Sequence, residues 1–300
     1  MKKMASQLED ADSRPEFVAL GHLTADILSD GSNRPGGTVA YASVLARNLG
    51  QRAAIVTASS GPMRQALQQE GIQVRGPLSP YATTFENIYT PQGRVQYIKE
   101  VAATLGPSAV PVEWAGKRSP IKIVHLGPVA QEFVGPEILK LFPNALVGVT
   151  PQGWLRTWDN EGKVRPITWH PDRAKKVLRQ ADVLVLSIED LPSGEIGQGL
   201  LTAYVQLTPL VVLTQGAKGC LVYQGTKVDH VPACPAQEVD PTGAGDIFAA
   251  AFFIKLYETK EPLLAARFAH AAAACHIEKP GLEGIPTRYE ILQRLAALPD

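Results

Sequence analysis

The segment Asp240–Phe248 (DPTGAGDIF) carries the strongest chemical signal in this 300-residue chain. Pro241 cannot stand inside a helix, and Gly243 and Gly245 permit tight backbone turns. A long alanine-rich apolar stretch follows, so the glycines open a helix. Glycine-rich backbone at a helix N-terminus aims several unpaired N–H groups at one point, and the helix dipole favours an anion there. Asp246 falls in the first turn. A carboxylate so placed can take the proton of a hydroxyl that attacks the anion. Phosphoryl transfer requires that combination of positioning, charge stabilisation and a base. The alternative is an ordinary glycine-rich helix start capped by aspartate. The phosphate loop G-x-x-x-x-G-K-[ST] is absent, and no G-x-G-x-x-G follows the first strand. A nicotinamide-type oxidoreductase is therefore disfavoured.

Further polar groups follow expected strand ends. In Gly127–Glu132 (GPVAQE), Gln131 or Glu132 would line a crevice at a strand's carboxyl end. In Thr150–Arg156 (TPQGWLR), Gln152 offers an amide that donates and accepts, and Arg156 a fixed fork of donors. Such groups suit a polyol or a phosphorylated sugar; the alternative is loop residues satisfied by backbone. His22 and His125, near strand ends, are expected to pack or bond to backbone. His270 and His276 are six apart, which is no metal pair. Cys220, Cys234 and Cys275 lack metal-site spacing, and their odd number argues against a disulfide framework.

These residues need elements to position them. Phe17–Gly21, Ala53–Ala58, Ile121–Leu126, Ala145–Val149, Val183–Ser187 and Leu210–Thr214 are short apolar runs that suit buried strands. Helical composition marks Val39–Leu49, Pro62–Glu70, Pro136–Phe142, Pro171–Gln180, Ser193–Gln206, Gly243–Tyr257, Pro262–His276 and Arg288–Leu298. The alternation predicts an α/β fold, a mostly parallel sheet with helices on both faces. Thr83–Val101, around Pro91-Gln92-Gly93, predicts a hairpin that extends an edge or forms a flap, and Cys220–Val231 predicts a second.

Composition narrows the function. The chain has 29 Lys+Arg against 29 Asp+Glu, a formal net charge of zero. A nucleic-acid binder needs a basic excess to neutralise phosphates, so that class is disfavoured. The apolar fraction of 45% supports a substantial core. No apolar run approaches the ~20 residues of a membrane helix, and the first residues lack the apolar stretch of a signal peptide. The expectation is a cytoplasmic protein without membrane or nucleic-acid partners, monomeric or homodimeric. Residues 1–14 are expected as a disordered tail, and 15–300 as one domain.

DPTGAGDIFAAAF resembles the second signature of the ribokinase-like (PfkB-type) carbohydrate kinases. Gly36-Gly37-Thr38 with Val39–Gly50 (VAYASVLARNLG) is similar to their first signature. The strand ending in Gly21-His22-Leu23-Thr24-Ala25-Asp26 resembles their first strand with its substrate-binding aspartate. Val211–Gly219 (VVLTQGAKG) is similar to their nucleotide-binding strand and loop, and His276–Thr287 (HIEKPGLEGIPT) to the segment closing the adenine pocket. The resemblance implies a kinase that uses ATP and Mg²⁺, with a small β lid formed by approximately residues 75–105. It implies Asp246 as base and Gly243, Ala244 and Gly245 as an anion hole. It places Thr214, Gly216, Gly219, Thr242 and His276 at the nucleotide, and Asp26, Gly36 and Gly37 with Gln131, Glu132, Gln152 and Arg156 at the acceptor.

Two departures stand out. Tyr41 occupies a position where the family usually has Asn. The N-x-x-E motif tied to magnesium appears as Ser187-Ile188-Glu189-Asp190, so Asp190 is the implied metal ligand, with a plain helix cap as its alternative. The PQGWLR segment, the S-x-E-D variant and HIEKPG together resemble the inositol kinase branch. The expected acceptor is a small polyol or sugar, myo-inositol first, with ribose, fructose or a nucleoside as alternatives. A non-catalytic sugar-binding relative is the remaining alternative; the intact Asp246 and its glycines argue against it.

Overall fold

The computed structural model describes residues 14–28, 30–90, 93–133 and 135–298. The expected tail therefore lies outside the described residues apart from Arg14, as does the hairpin tip at 91–92. The elements in chain order are β1 (Phe17–Leu20), β2 (Thr24–Ile27), β3 (Asn33–Gly36), α1 (Thr38–Asn48), β4 (Ala53–Val56), α2 (Gly61–Gln69) and β5 (Gln73–Arg75). The hairpin β6 (Thr83–Thr90) and β7 (Gly93–Glu100) follows, then β8 (Ile123–Leu126), β9 (Leu146–Val149), β10 (Arg156–Trp158) and β11 (Val164–Pro166). The last third holds α3 (Pro171–Leu178), β12 (Val183–Ser187), α4 (Glu195–Leu207), β13 (Leu210–Thr214), β14 (Cys220–Gln224), β15 (Lys227–Val231), α5 (Ala244–Thr259), α6 (Pro262–Ile277) and α7 (Arg288–Ala296).

All four residues of β1 are buried. Phe17 and Ala19 enter one apolar core, and Val18 and Leu20 the other. A strand with two apolar faces must be covered on both sides, as parallel sheets are. The first core takes residues of α1, α5, α6 and α7, and the second those of α3, α4 and the loops around Trp114 and Phe142. Between them runs a nine-stranded sheet in the order β15-β14-β13-β12-β9-β8-β1-β4-β5, parallel from β13 to β5, with β14 and β15 antiparallel at one edge. The first residue after each of β1, β8 and β9 (Gly21, Gly127 and Thr150) and the last residue of each of β12 and β13 (Ser187 and Thr214) stand at one sheet edge. In open α/β sheets that edge forms the ligand crevice.

The lid differs from expectation. It is a four-stranded sheet, β3-β2-β6-β7, so Thr24–Gly36 contributes half of its strands. β2 and β3 contain Asp26, Asn33, Pro35 and Gly36, all poor strand formers. They are extended because they pair with each other and with β6, which local composition does not reveal. Buried hydrogen bonds root the lid at the end of β1. His22 Nε2 donates to the Ala103 carbonyl at 2.9 Å, which leaves Nδ1 of the neutral ring to accept from Thr83 Oγ1 at 2.7 Å. Phe85 and Ile98 anchor the lid by packing on Val129 and Ala130. The expected helix Pro136–Phe142 is instead a 3₁₀ segment, Pro136–Leu141. Pro143 disfavours helical backbone at Phe142 and stops it early. β10–β11 is a small hairpin that the sequence did not reveal.

Candidate active site

Asp246 sits in the first turn of α5 and is largely buried. Thr38 Oγ1, at the start of α1, donates to Asp246 Oδ1 at 2.7 Å. Burial pushes the carboxyl up to about 6; the Thr38 bond and the Arg156 charge pull against that, and the Asp26 charge adds to it. The group is thus a carboxylate at neutral pH with a proton affinity near the working range, as a general base requires. Asp26 lies on the lid strand β2, with Thr24 Oγ1 donating to it at 3.3 Å. Gly36 faces it across β3, and a side chain there would collide with the Asp26 carboxylate.

The loop before α5 is held from three sides. Asp240 Oδ1 accepts the Thr242 N–H at 3.0 Å, and Oδ2 accepts the Gly281 N–H at 3.1 Å. Burial would raise the Asp240 carboxyl, but these bonds and Arg34 hold it below the usual range. His276 Nε2 donates to the Thr242 carbonyl at 2.8 Å. Gly243 has a left-handed φ of 82°, and a Cβ there would fall 2.5 Å from the Tyr41 ring. The ring of Tyr41 therefore forms the floor under the glycine, with its edge toward His276 at 5.6 Å between centroids. Gly245, by contrast, has nothing within 4 Å of its Cβ direction. A side chain at Gly245 would therefore project from the first turn into open space.

Loops after the strands complete the crevice. Arg156, at the start of β10, lies within electrostatic reach of both Asp246 and Asp190. Gln152 opens a half-buried 3₁₀ turn on the same loop. Gln131 Nε2 donates to the Arg156 carbonyl, so it props that loop. Glu132 differs from expectation. It is buried and spends its carboxylate on the backbone N–H groups of His22, Val129 and Ala130 at 2.8–3.0 Å. Buried carboxylates need such donors, so Glu132 shapes the crevice rather than lining it. Thr214 ends β13 and donates to the Leu186 carbonyl at 3.3 Å; Gly216 and Gly219, both at positive φ, flank the next turn.

Residues 160–288 match the sequence pattern of the pfkB family carbohydrate kinases. That match takes in the loop before α5 and Asp246 and covers 129 of the 300 residues. It is 40% identical to a ribokinase of Bacillus subtilis over 85 residues, 28% of this chain and 29% of the relative. It is 27% identical to a cytidine kinase of Thermococcus kodakarensis over 267 residues, 79% and 87% of the two chains. Over 142 residues it is 30% identical to an inositol 3-kinase of Zea mays, covering 46% of this chain and 34% of that protein. The chain thus spans under a third of that ribokinase and most of the cytidine kinase. A pyrophosphate-dependent kinase of the ribokinase family, solved with a pyrophosphate analog and myo-inositol, superposes with a TM-score of 0.74 at 22% identity, over 93% of this chain and 99% of that one. A Thermotoga maritima ribokinase superposes with a TM-score of 0.71 at 20% identity, over 94% and 99%. The expected ribokinase-like fold and carbohydrate-kinase family are both borne out.

His276 differs from its expected place at the nucleotide. It is fully buried under the loop, where its bond to Thr242 positions the backbone of the anion hole. Asp190 takes the alternative role weighed for it, since its Oδ2 accepts the Ser187 N–H at 2.9 Å in a capping box, and burial raises its carboxyl. Among the described residues no three acidic, His or Cys groups converge on a metal position. Mg²⁺ keeps several waters and takes one or two carboxylates plus substrate phosphates. Asp190 has its Oδ2 engaged in the cap, and its other carboxylate oxygen is the group it could offer to such an ion. No helix among the described residues is long and apolar enough to cross a membrane.

Thr38 was missed as a functional residue, although its triplet Gly36-Gly37-Thr38 stood out in the sequence. Its bond to Asp246 yields a test. The base works only when ionised, so kcat/KM should rise about tenfold per pH unit below about 6 and level above it. Thr38→Val removes a donor that favours the ionised form and should move this limb to higher pH. An unmoved limb in the variant would detach Thr38 from the base.

Proposed function

We propose that this chain is an ATP-dependent kinase of a small neutral polyol, with myo-inositol as the leading acceptor. The observation that carries the reading is Asp246. It is a carboxylate tuned to about 6, bonded to Thr38, at the head of a helix whose glycine-rich N-terminus is open to the crevice. The acceptor lies between Asp26 on the lid and Asp246 on the floor. Asp246 takes the proton of one acceptor hydroxyl, whose oxygen forms a bond to the terminal phosphorus of the donor. The bond from that phosphorus to the bridging oxygen breaks, and the diphosphate leaves with the electron pair. The N–H groups at 243–245 and the Arg156 guanidinium stabilise the charge that develops on the phosphoryl oxygens. Asp190 is the residue that would help hold Mg²⁺, which would supply further charge neutralisation.

Arg156 bears on the acceptor. Arg156 adds positive potential at Asp246 and at Asp190. There it serves the transferring phosphoryl group and leaves the acceptor free to be neutral. Arg156→Met should lower kcat by about 10- to 100-fold with a neutral polyol. It should also shift the acid limb upward, because a charge favouring ionised Asp246 is gone. A several-fold rise in acceptor KM with kcat unchanged would instead make Arg156 an acceptor anchor and favour a phosphorylated sugar.

The similarity to an inositol 3-kinase and the inventory of Asp26, Gln152 and close glycine backbone favour a polyol. The test is a matrix of initial rates. Myo-inositol, ribose, fructose and cytidine are each offered with Mg·ATP and with Mg·pyrophosphate, and kcat/KM is compared. The reading expects myo-inositol with ATP to lead. Preference for cytidine or ribose overturns the acceptor, and preference for pyrophosphate overturns the donor.

A further inference from the structure

We propose that Arg34 is a positioning residue that fastens the acceptor lid to the anion-binding loop, so that acceptor and donor half-sites assemble together. Arg34 belongs to the lid strand β3, in register with Asp26 on β2. Its Nη1 lies 3.5 Å from Asp240 Oδ2, the oxygen that also accepts the Gly281 N–H. Gly281 has φ 56°, and a Cβ there would fall 2.9 Å from Arg34 Nη1. The guanidinium therefore rests against bare backbone at the edge of the loop. The other Asp240 oxygen holds the Thr242 N–H, and Thr242 leads directly into Gly243. One line of contacts thus runs from the lid through Arg34, Asp240 and Thr242 to the anion hole.

Other ties of the lid lie elsewhere. His22 with Thr83, Phe85 and Ile98 on Val129 and Ala130, and the Ile98 N–H on the Gly162 carbonyl hold it to strand ends and to the turn between β10 and β11, while β3 leads through Gly37 to Thr38 and its bond to Asp246. The Arg34–Asp240 pair is also shielded, with side-chain exposures of 26% and 19%, against 64% and 26% for a surface pair such as Lys227–Asp229. Arg34 Nε and the Tyr41 hydroxyl are both buried without a hydrogen-bond partner among the described residues, and Arg34 Nη1 faces Asp240 at 3.5 Å. Tyr41 in turn supports Gly243. An acceptor that orders the lid would order the loop through this pair, and a donor would do the reverse; such coupling is reciprocal.

The inference rests on the kinase reading, and its test separates the two. Binding of a non-hydrolysable ATP analogue with Mg²⁺ is measured calorimetrically, without and with a saturating concentration of the acceptor that the wild type phosphorylates fastest among myo-inositol, ribose, fructose and cytidine. In the wild type the acceptor should tighten the analogue about tenfold. In Arg34→Met and in Asp240→Asn that gain should fall below about twofold, with Arg34→Lys retaining part of it and the double variant no worse than either single. A purely structural role would lower the melting temperature and leave the gain intact. Full coupling in folded Arg34→Met, or in Asp240→Asn should Arg34→Met not fold, overturns the inference, as does a wild type without coupling. A wild type that phosphorylates none of the acceptors sinks the kinase reading, and this inference with it.

Discussion

Asp246→Asn should lower kcat by about 10²–10⁴, the usual contribution of a positioned base, while the protein stays folded and binds nucleotide. The amide keeps the shape of the carboxylate and can still meet Thr38, but it cannot take the acceptor proton. The stability control has a definite sign. The carboxyl is raised from 3.8 to about 6 by burial, so folding disfavours its charged form. That cost is absent below the lower value and complete above the upper one. Asp246→Asn should therefore be at least as stable as wild type at pH 7, and the difference should vanish as pH falls toward 4. Thermal melts at the two pH values and steady-state rates check both halves. Near-normal turnover in the folded variant would remove Asp246 from the chemistry.

The second large effect belongs to Gly245. Its Cβ direction meets nothing within 4 Å, so Gly245→Val should fold normally and project its side chain into the space before the helix N-terminus. Loss of one preorganised donor typically costs about 10²–10³ in kcat, and the variant should show at least that, with a smaller change in donor KM. Gly243 makes the contrast. With φ 82° and Tyr41 at 2.5 Å, Gly243→Ala should lower the melting temperature as well as the rate. Equal rate and affinity in Gly245→Val would reduce that glycine to an ordinary helix-start residue.

The chemistry was legible where glycine and proline punctuate the chain. DPTGAG announces its helix start, and Asp246 stands in the turn that such a start exposes. The strands were legible because two-sided burial leaves unbroken apolar runs such as Val183–Leu186. Tertiary pairing hid the rest. Thr38 and Asp246 are 208 residues apart, and nothing local links the two oxygens. β2 and β3 are poor strand sequences made extended by their partners, so the lid appeared half its size. Glu132 was expected to face the crevice because it follows a strand, and His276 because its segment resembles the one that closes the adenine pocket. Both are turned inward by backbone groups that need them, and only the fold reveals those groups. Asp240 begins the most legible motif in the chain, yet its tie to Arg34 depends on the lid's position over the loop.

The central claim is that this site moves a phosphoryl group onto an alcohol with Asp246 as base. It is tested most directly by ³¹P NMR of wild type and Asp246→Asn incubated in parallel with Mg·ATP and myo-inositol at pH 8. The account predicts a new phosphomonoester resonance, coupled to a ring proton, that grows in step with ADP in the wild type and at most about one-hundredth as fast in the variant. ATP consumption that yields only inorganic phosphate, or a phosphomonoester formed equally fast by both proteins, would contradict it.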